Sequence, residues 1–212
     1  MKFFIKICGI TSPEDAEMVA AAGADAVGIN FWPRSKRFVT DDRAREIAAA
    51  VPNGVEKVGV FVNAHPLVVT EAIADFGLDR VQLHGDEKPG AWTEIESRRI
   101  IRAIRVADTG SLKDAQAWEA GLYIYDAFLE TYGGGGVQAP WEIIAKGARR
   151  PFLLAGGLTP DNVVDAIRAV HPDGLDVASG VESEPGMKDP AKVKAFIAAA
   201  RQAMMEITSP EL

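Results

Sequence analysis

Two residues of this chain could move protons at a carbon centre: Cys8 in Lys6-Ile7-Cys8-Gly9 and Asp126 in Ile124-Tyr125-Asp126-Ala127. Each closes a short run rich in apolar residues, where a polar side chain is costly unless it reaches a rim or a partner. A thiol of reference pKa about 8.5 accepts a proton once its surroundings favour the thiolate. A carboxyl group can deliver one to a leaving oxygen. Both have plainer readings too: a lone cysteine usually behaves as a small buried hydrophobe, and a loop aspartate often caps a helix.

Groups able to hold an anion accompany them. Glycines recur in Leu154-Ala155-Gly156-Gly157-Leu158 and in Ala178-Ser179-Gly180-Val181-Glu182. Without a Cβ, the amides around Gly156, Gly157, Ser179 and Gly180 can approach a phosphate closely, although tight turns use the same glycines. Arg37 follows Phe31-Trp32-Pro33-Arg34-Ser35-Lys36. A guanidinium beside aromatics can grip a carboxylate through two parallel hydrogen bonds; a row of cations also suits a solvated surface. In Gln82-Leu83-His84-Gly85, His84 would be either a polar wall of the pocket or a satisfied loop histidine, and Gln82 is expected beside it as a substrate-binding residue. His65 and His171 stand singly, so no metal-ligand spacing exists and no metal is expected. The run Gly133–Gly136 would be either a loop over the site or a close backbone approach.

The elements that must position these groups are short β-rich runs alternating with alanine-rich amphipathic stretches. Strands are expected at Phe3–Cys8, Ala26–Phe31, Lys57–Val62, Arg80–His84, Ile100–Val106, Leu122–Ala127, Phe152–Ala155 and Gly174–Ala178. Helices are expected at Pro13–Ala22, Asp41–Val51, Pro66–Phe76, Pro89–Ile95, Leu112–Glu119, Trp141–Gly147, Pro160–Val170 and Pro190–Met205. Ser12-Pro13, Thr159-Pro160 and Asp189-Pro190 read as a cap followed by proline at the first helical position. Eight βα units without a linker predict a single α/β domain, a (β/α)8 TIM barrel over residues 1–206, with 207–212 as a frayed tail. An open doubly wound sheet is the rival, but the first βα turn lacks G-x-G-x-x-G. In a barrel Cys8, Arg37, Gln82, His84, Asp126, Gly156, Gly157, Ser179 and Gly180 all fall at the C-terminal ends of strands or in the loops that follow, where barrel chemistry sits.

Composition narrows the partners. With a net charge of −7 and no basic stripe, the chain has no electrostatic footprint for nucleic acid. An anionic substrate must then be attracted by local groups, such as a backbone cradle. One cysteine excludes an internal disulfide and suits a reducing compartment. Lys6 interrupts the N-terminal apolar run, so a first strand fits better than a signal peptide, and no stretch is long enough to span a bilayer. The expectation is a cytoplasmic protein without a membrane or obligatory protein partner, acting on a small phosphorylated molecule. Whether it is a monomer or a dimer stays open.

Together, Lys6–Thr11 (KICGIT), Val58–Asn63 (VGVFVN), Gln82–Gly85 (QLHG), Leu154–Leu158 (LAGGL) and Ser179–Glu182 (SGVE) resemble the phosphoribosylanthranilate isomerase family of tryptophan biosynthesis, in order along the chain. The resemblance implies an Amadori rearrangement of N-(5-phosphoribosyl)anthranilate, without a cofactor. It implies Asp126 as general acid, Cys8 as general base and Arg37 on the anthranilate carboxylate, with Gly157, Ser179 and Gly180 around the phosphate. Lys36, Val137 and Ala139-Pro140 depart from the family's usual residues, in the loop before Arg37, the glycine run and the start of helix six. Two other readings remain: the histidine-pathway sugar-phosphate isomerase, which would pair two aspartates, and a barrel that binds a phosphorylated ligand without turning it over.

Overall fold

The computed structural model describes residues 2–127 and 138–208. Eight strands, β1 (Phe4–Cys8), β2 (Ala26–Asn30), β3 (Glu56–Phe61), β4 (Arg80–Leu83), β5 (Ile100–Val106), β6 (Leu122–Ala127), β7 (Phe152–Leu154) and β8 (Gly174–Val177), pair in parallel in chain order. β8 returns to pair with β1, Phe4 opposite Gly174 and Ile7 opposite Val177, which closes the sheet. The expected (β/α)8 barrel is the fold.

Strand periodicity sorts the side chains into two cores. Phe4, Ala26, Val58, Ile101, Ala103, Ile124 and Leu153 fill the barrel interior. The intervening residues, such as Ile5, Ile7, Val27, Ile29, Val81 and Leu83, pack outward beneath the helices. Every strand is therefore covered on both faces, which is why the strands read as nearly continuous apolar runs.

The helices are α1 (Pro13–Ala21), α2 (Asp41–Ala50), α3 (Pro66–Asp75), α4 (Trp141–Gly147), α5 (Val163–Val170) and α6 (Pro190–Thr208). Ser12 Oγ accepts from the Asp15 N–H at 3.1 Å, and Asp189 Oδ1 accepts from those of Ala191 and Lys192. With Pro13 and Pro190 behind them, both caps stand where the sequence put them. On α5, Val163, Ala166, Ile167 and Val170 are buried at i, i+3, i+4 and i+7, a stripe against the sheet. Burying a valine or isoleucine in this way stabilises by about 1.5–3 kcal/mol.

Three expected helices differ. Pro89–Ile95 forms only a 3-10 turn, Pro89–Ala91, and Leu112–Glu119 a 3-10 helix, Ser111–Ala117. In the second, buried Leu112, Ala115 and Trp118 recur every three positions, the 3-10 period rather than 3.6, while the first turn buries none of its residues and so has no apolar stripe to extend it. α5 starts at Val163, not Pro160, because Asn162 ties down the preceding turn by accepting from the Thr159 N–H and donating to the Gly157 carbonyl. At the other end, α6 continues through Ile207 to Thr208, past the expected end of the domain, with Ile207 packed against the core. Residues 209–212 and the glycine run 133–136 lie outside the described residues.

A small hairpin, β9 (Glu182–Glu184) and β10 (Met187–Lys188), follows β8 after a 3-10 turn at Ser179–Val181. It docks over the end of β1: Thr11 Oγ1 donates to the Gly186 carbonyl at 2.5 Å, and the Lys188 N–H to Asp15 at 3.1 Å. Among the described residues, no helix is long and apolar enough to cross a membrane.

Candidate active site

Alternation along β1 turns Phe4, Lys6 and Cys8 inward, so Cys8 stands half-buried at the rim where the strand ends. The same alternation turns Asp126 inward at the end of β6, behind Leu122 and Ile124. β7 and β8 separate these strands on one side of the ring, so thiol and carboxyl rise from different walls of one mouth. Asp126 Oδ1 accepts from the Ala127 N–H at 2.7 Å. Gly156 packs against it, since a Cβ there would come within 2.9 Å of Oδ1.

Beside Asp126 stands His84, just past β4, its Nε2 3.5 Å from Asp126 Oδ2. The Gln82 side-chain amide donates to His84 Nδ1 at 2.8 Å. With Nδ1 accepting, the neutral ring carries its proton on Nε2, the nitrogen that faces the carboxylate. Of the two residues expected to bind substrate here, His84 edges the mouth. Gln82 lies beneath it, 1% exposed, and reaches the site through the imidazole.

The surroundings of Cys8 are ionic. Lys6, fully buried, donates to Asp176 of β8 at 2.7 Å. Burial alone would pull the lysine down, but Asp176 and Cys8 together push it above its ordinary value. Burial pushes the Cys8 thiol up, and Lys6 pulls hardest the other way. Lys188 of β10 reaches in from above, donating to the Cys8 carbonyl and to Glu182 Oε1, each at 2.7 Å.

Arg37 is buried, with its stem crowded against Gly9. Gly9 has φ +75°, so a side chain there would be strained as well as obstructed. The arginine's Nε and Nη2 donate to Glu182 Oε1 and Oε2 at 2.7 and 2.6 Å. This paired edge, which sequence reasoning offered to a substrate carboxylate, is engaged by Glu182. Among the described residues Nη1 makes no hydrogen bond, which leaves it for a ligand.

The two glycine loops flank the mouth. Gly156 and Gly157 adopt φ +84° and +65°, backbone that side chains rarely take. Gly180 lies so close to Leu158 that a Cβ would overlap its carbonyl oxygen, which brings the loops after β7 and β8 together. The N–H groups of Gly157 and Gly180 meet no acceptor among the described residues. Nor do the described residues contain a His, Cys, Asp and Glu cluster able to hold a metal ion.

A family model for N-(5'-phosphoribosyl)anthranilate (PRA) isomerase matches residues 5–199. The chain belongs to this family. It is 46% identical over 199 residues to an N-(5'-phosphoribosyl)anthranilate isomerase of Geobacter sulfurreducens, covering 93% of this chain and 98% of that protein. The crystal structure of phosphoribosyl anthranilate isomerase from Thermotoga maritima superposes with a TM-score of 0.87 at 39% identity, covering 94% of this chain and 99% of the other. A further crystal structure of the isomerase, in complex with reduced 1-(o-carboxyphenylamino)-1-deoxyribulose 5-phosphate, matches with a TM-score of 0.83 at 37% identity over the same shares.

Membership of the family leaves four ionic residues of this site to explain. Lys6, Asp176, Glu182 and Lys188 were not singled out from the sequence as functional, although Lys6 and Glu182 lie inside motifs that were. Lys6 and Asp176 are 170 positions apart and Arg37 and Glu182 145, pairings that only closure of the ring makes, whereas Lys188 meets Glu182 across the hairpin. One signal was available: a lysine and an aspartate at inward positions of apolar strands require a partner.

Proposed function

We propose that this chain isomerises N-(5'-phosphoribosyl)anthranilate to 1-(2-carboxyphenylamino)-1-deoxyribulose 5-phosphate, a step of tryptophan biosynthesis, with Asp126 as acid and Cys8 as base. Asp126 protonates the ribose ring oxygen, and the C1–O bond breaks as the anilino nitrogen forms an imine. Cys8, as thiolate, removes the proton from C2 and leaves an enolamine. The enolamine takes a proton at C1 while its hydroxyl releases one, and the ketone results. Atoms and electrons balance, so no cofactor is called for.

One observation carries this reading: a thiol and a carboxyl end separate strands of a single barrel mouth. An acid for oxygen and a base for carbon must work from different sides of the sugar. Supporting it, the amides of Gly157 and Gly180, which meet no acceptor among the described residues, suit a phosphate, and Arg37 Nη1 suits the anthranilate carboxylate. His84 borders the space between them. Acid, base and anion-binding groups all come from one chain, so the reading requires no partner protein. A cytoplasmic setting would keep the single thiol reduced.

The test is the loss of anthranilate-adduct fluorescence with wild type, Cys8→Ser and Asp126→Asn. Each substitution should lower turnover about 100-fold or more, as general acid–base groups commonly contribute. Near-normal rates in both would overturn the assignment.

A further inference from the structure

The barrel interior holds one ion pair that the acid–base steps leave without a role. Lys6 and Asp176 sit in a barrel interior built largely from apolar side chains, the lysine side chain 0% and the aspartate 8% exposed. A buried pair of this kind adds little stability over well-packed hydrophobic residues, so stability alone is a poor reason for it. Its neighbour is a better one. Lys6 lies two residues below Cys8 on the same face of β1.

Gly28, opposite Cys8 on β2, shows how near the two groups are. A Cβ on Gly28 would fall 2.7 Å from Cys8 Sγ and 3.1 Å from Lys6 Nζ, so sulfur and ammonium flank the same gap. The other cations near the sulfur are committed elsewhere. Arg37 is bound to Glu182, and Lys188 is shared among Glu182 and the carbonyls of Cys8 and Ala178. Lys6 bonds to Asp176 and, with three N–H donors, has others left for the thiol side.

We propose that Lys6, clamped by Asp176, is the positioning residue that supplies the positive charge making the Cys8 thiolate reachable for proton abstraction. This deepens the proposed function and rests on it. Asp176 keeps the ammonium charged and fixed, and Gly28 leaves the gap open. The groups facing the sulfur are then Lys6 from its own strand, Asp176 from β8, Lys188 from β10 and Arg37 from the loop after β2, with Glu182 behind the last two. Lys6 opposes the effect of burial on the thiol, and Asp176 adds to it.

Cys8 is the only cysteine, so iodoacetamide labelling reports on it alone. In the double variant Lys6→Met/Asp176→Asn, which leaves no unpaired buried charge, the midpoint of labelling against pH should rise by about one unit or more. Labelling at neutral pH should slow about tenfold, and the acid limb of kcat/KM should move up by a similar amount, with KM within about twofold. Asp176→Asn alone takes away the carboxylate that keeps the ammonium charged and fixed, so its midpoint should rise as well. That variant carries the test if the double variant does not fold. Unmoved midpoints, or a fall in Asp176→Asn, would overturn the inference. Turnover surviving in Cys8→Ser would overturn the base reading and this inference with it. An inactive Cys8→Ser with unmoved midpoints would overturn this inference alone.

Discussion

The His84 imidazole presents Nε2 to Asp126 Oδ2 at 3.5 Å, while Gln82 holds the opposite ring nitrogen at 2.8 Å. That first distance is longer than a formed hydrogen bond, and catalytic contacts commonly tighten once substrate is bound. A relay of this shape orients the carboxyl from behind. His84→Ala should lower kcat about tenfold, the value of one hydrogen bond to a charged group, with little change in KM. Gln82→Leu acts only through the imidazole and should lose about fivefold, one neutral hydrogen bond. Steady-state kinetics separate the alternatives: a raised KM with kcat intact in His84→Ala would make the histidine a binding group.

The contact between Gly180 and Leu158 makes the loops after β7 and β8 sensitive to a single methyl group. Gly180→Ala would drive its Cβ into the Leu158 carbonyl and separate the two loops. Because the change is remote from Cys8 and Asp126, binding should suffer more than chemistry. We expect KM to rise about tenfold, the loss of roughly one charge-assisted hydrogen bond, and kcat to stay within about threefold. Inhibition by inorganic phosphate should weaken in parallel. An unchanged phosphate inhibition constant would show that the cradle lies elsewhere.

Glu182 links Arg37 to Lys188 and gives the fold an acid-sensitive joint. Burial would raise its carboxyl, but Arg37 and Lys188 together hold it below the ordinary value of 4.5. As pH falls, the unfolded chain takes up this proton before the folded one does. The stabilisation is therefore complete above about pH 4.5 and drains away as pH drops towards the lower folded value. Urea denaturation between pH 7 and 3 should show wild type losing stability more steeply than Glu182→Gln. At neutral pH the variant should be weaker by about 3 kcal/mol, because two buried cations lose their shared partner. Parallel acid limbs would contradict this.

The strands were legible almost to the residue because both faces are covered, and β5 and β6 end where the apolar runs end. The helical ring was legible only where apolar residues follow a 3.6 period, as on α5. Leu112, Ala115 and Trp118 are spaced for a 3-10 helix, a difference that a glance at hydrophobic content misses. At the site, Cys8, Asp126 and His84 were legible as polar residues ending strands. The attachment of Arg37 to Glu182 was not, because it depends on the β9–β10 hairpin folding back over β1, and neither strand of that hairpin has a hydrophobic pattern of its own.

Glu87 offers a test of how the loop carrying His84 is held. Its carboxylate accepts from Arg102 Nη1 at 2.6 Å, from the Gly85 N–H at 2.9 and 3.0 Å, and from the Asn63 N–H at 2.9 Å. Arg102 points outward from β5, over the Trp118 ring, and donates also to the carbonyls of Leu83 and Gly85. Both charged side chains are nearly buried, at 8% and 3% exposed, so neither can exchange its partner for water. Glu87→Gln keeps the shape but strands the guanidinium without a counter-charge, a change that costs about 3–5 kcal/mol for a buried pair. Glu87→Leu with Arg102→Met removes both charges and should recover part of that loss, although the Gly85 and Asn63 amides still lose their acceptor. Thermal denaturation ranks the three proteins: wild type highest, the double variant between, Glu87→Gln lowest. Because Gly85 directly follows His84, the single variant should also lose kcat. A Glu87→Gln protein that melts like wild type would show the pair to be solvent-screened and the loop to be held by other contacts.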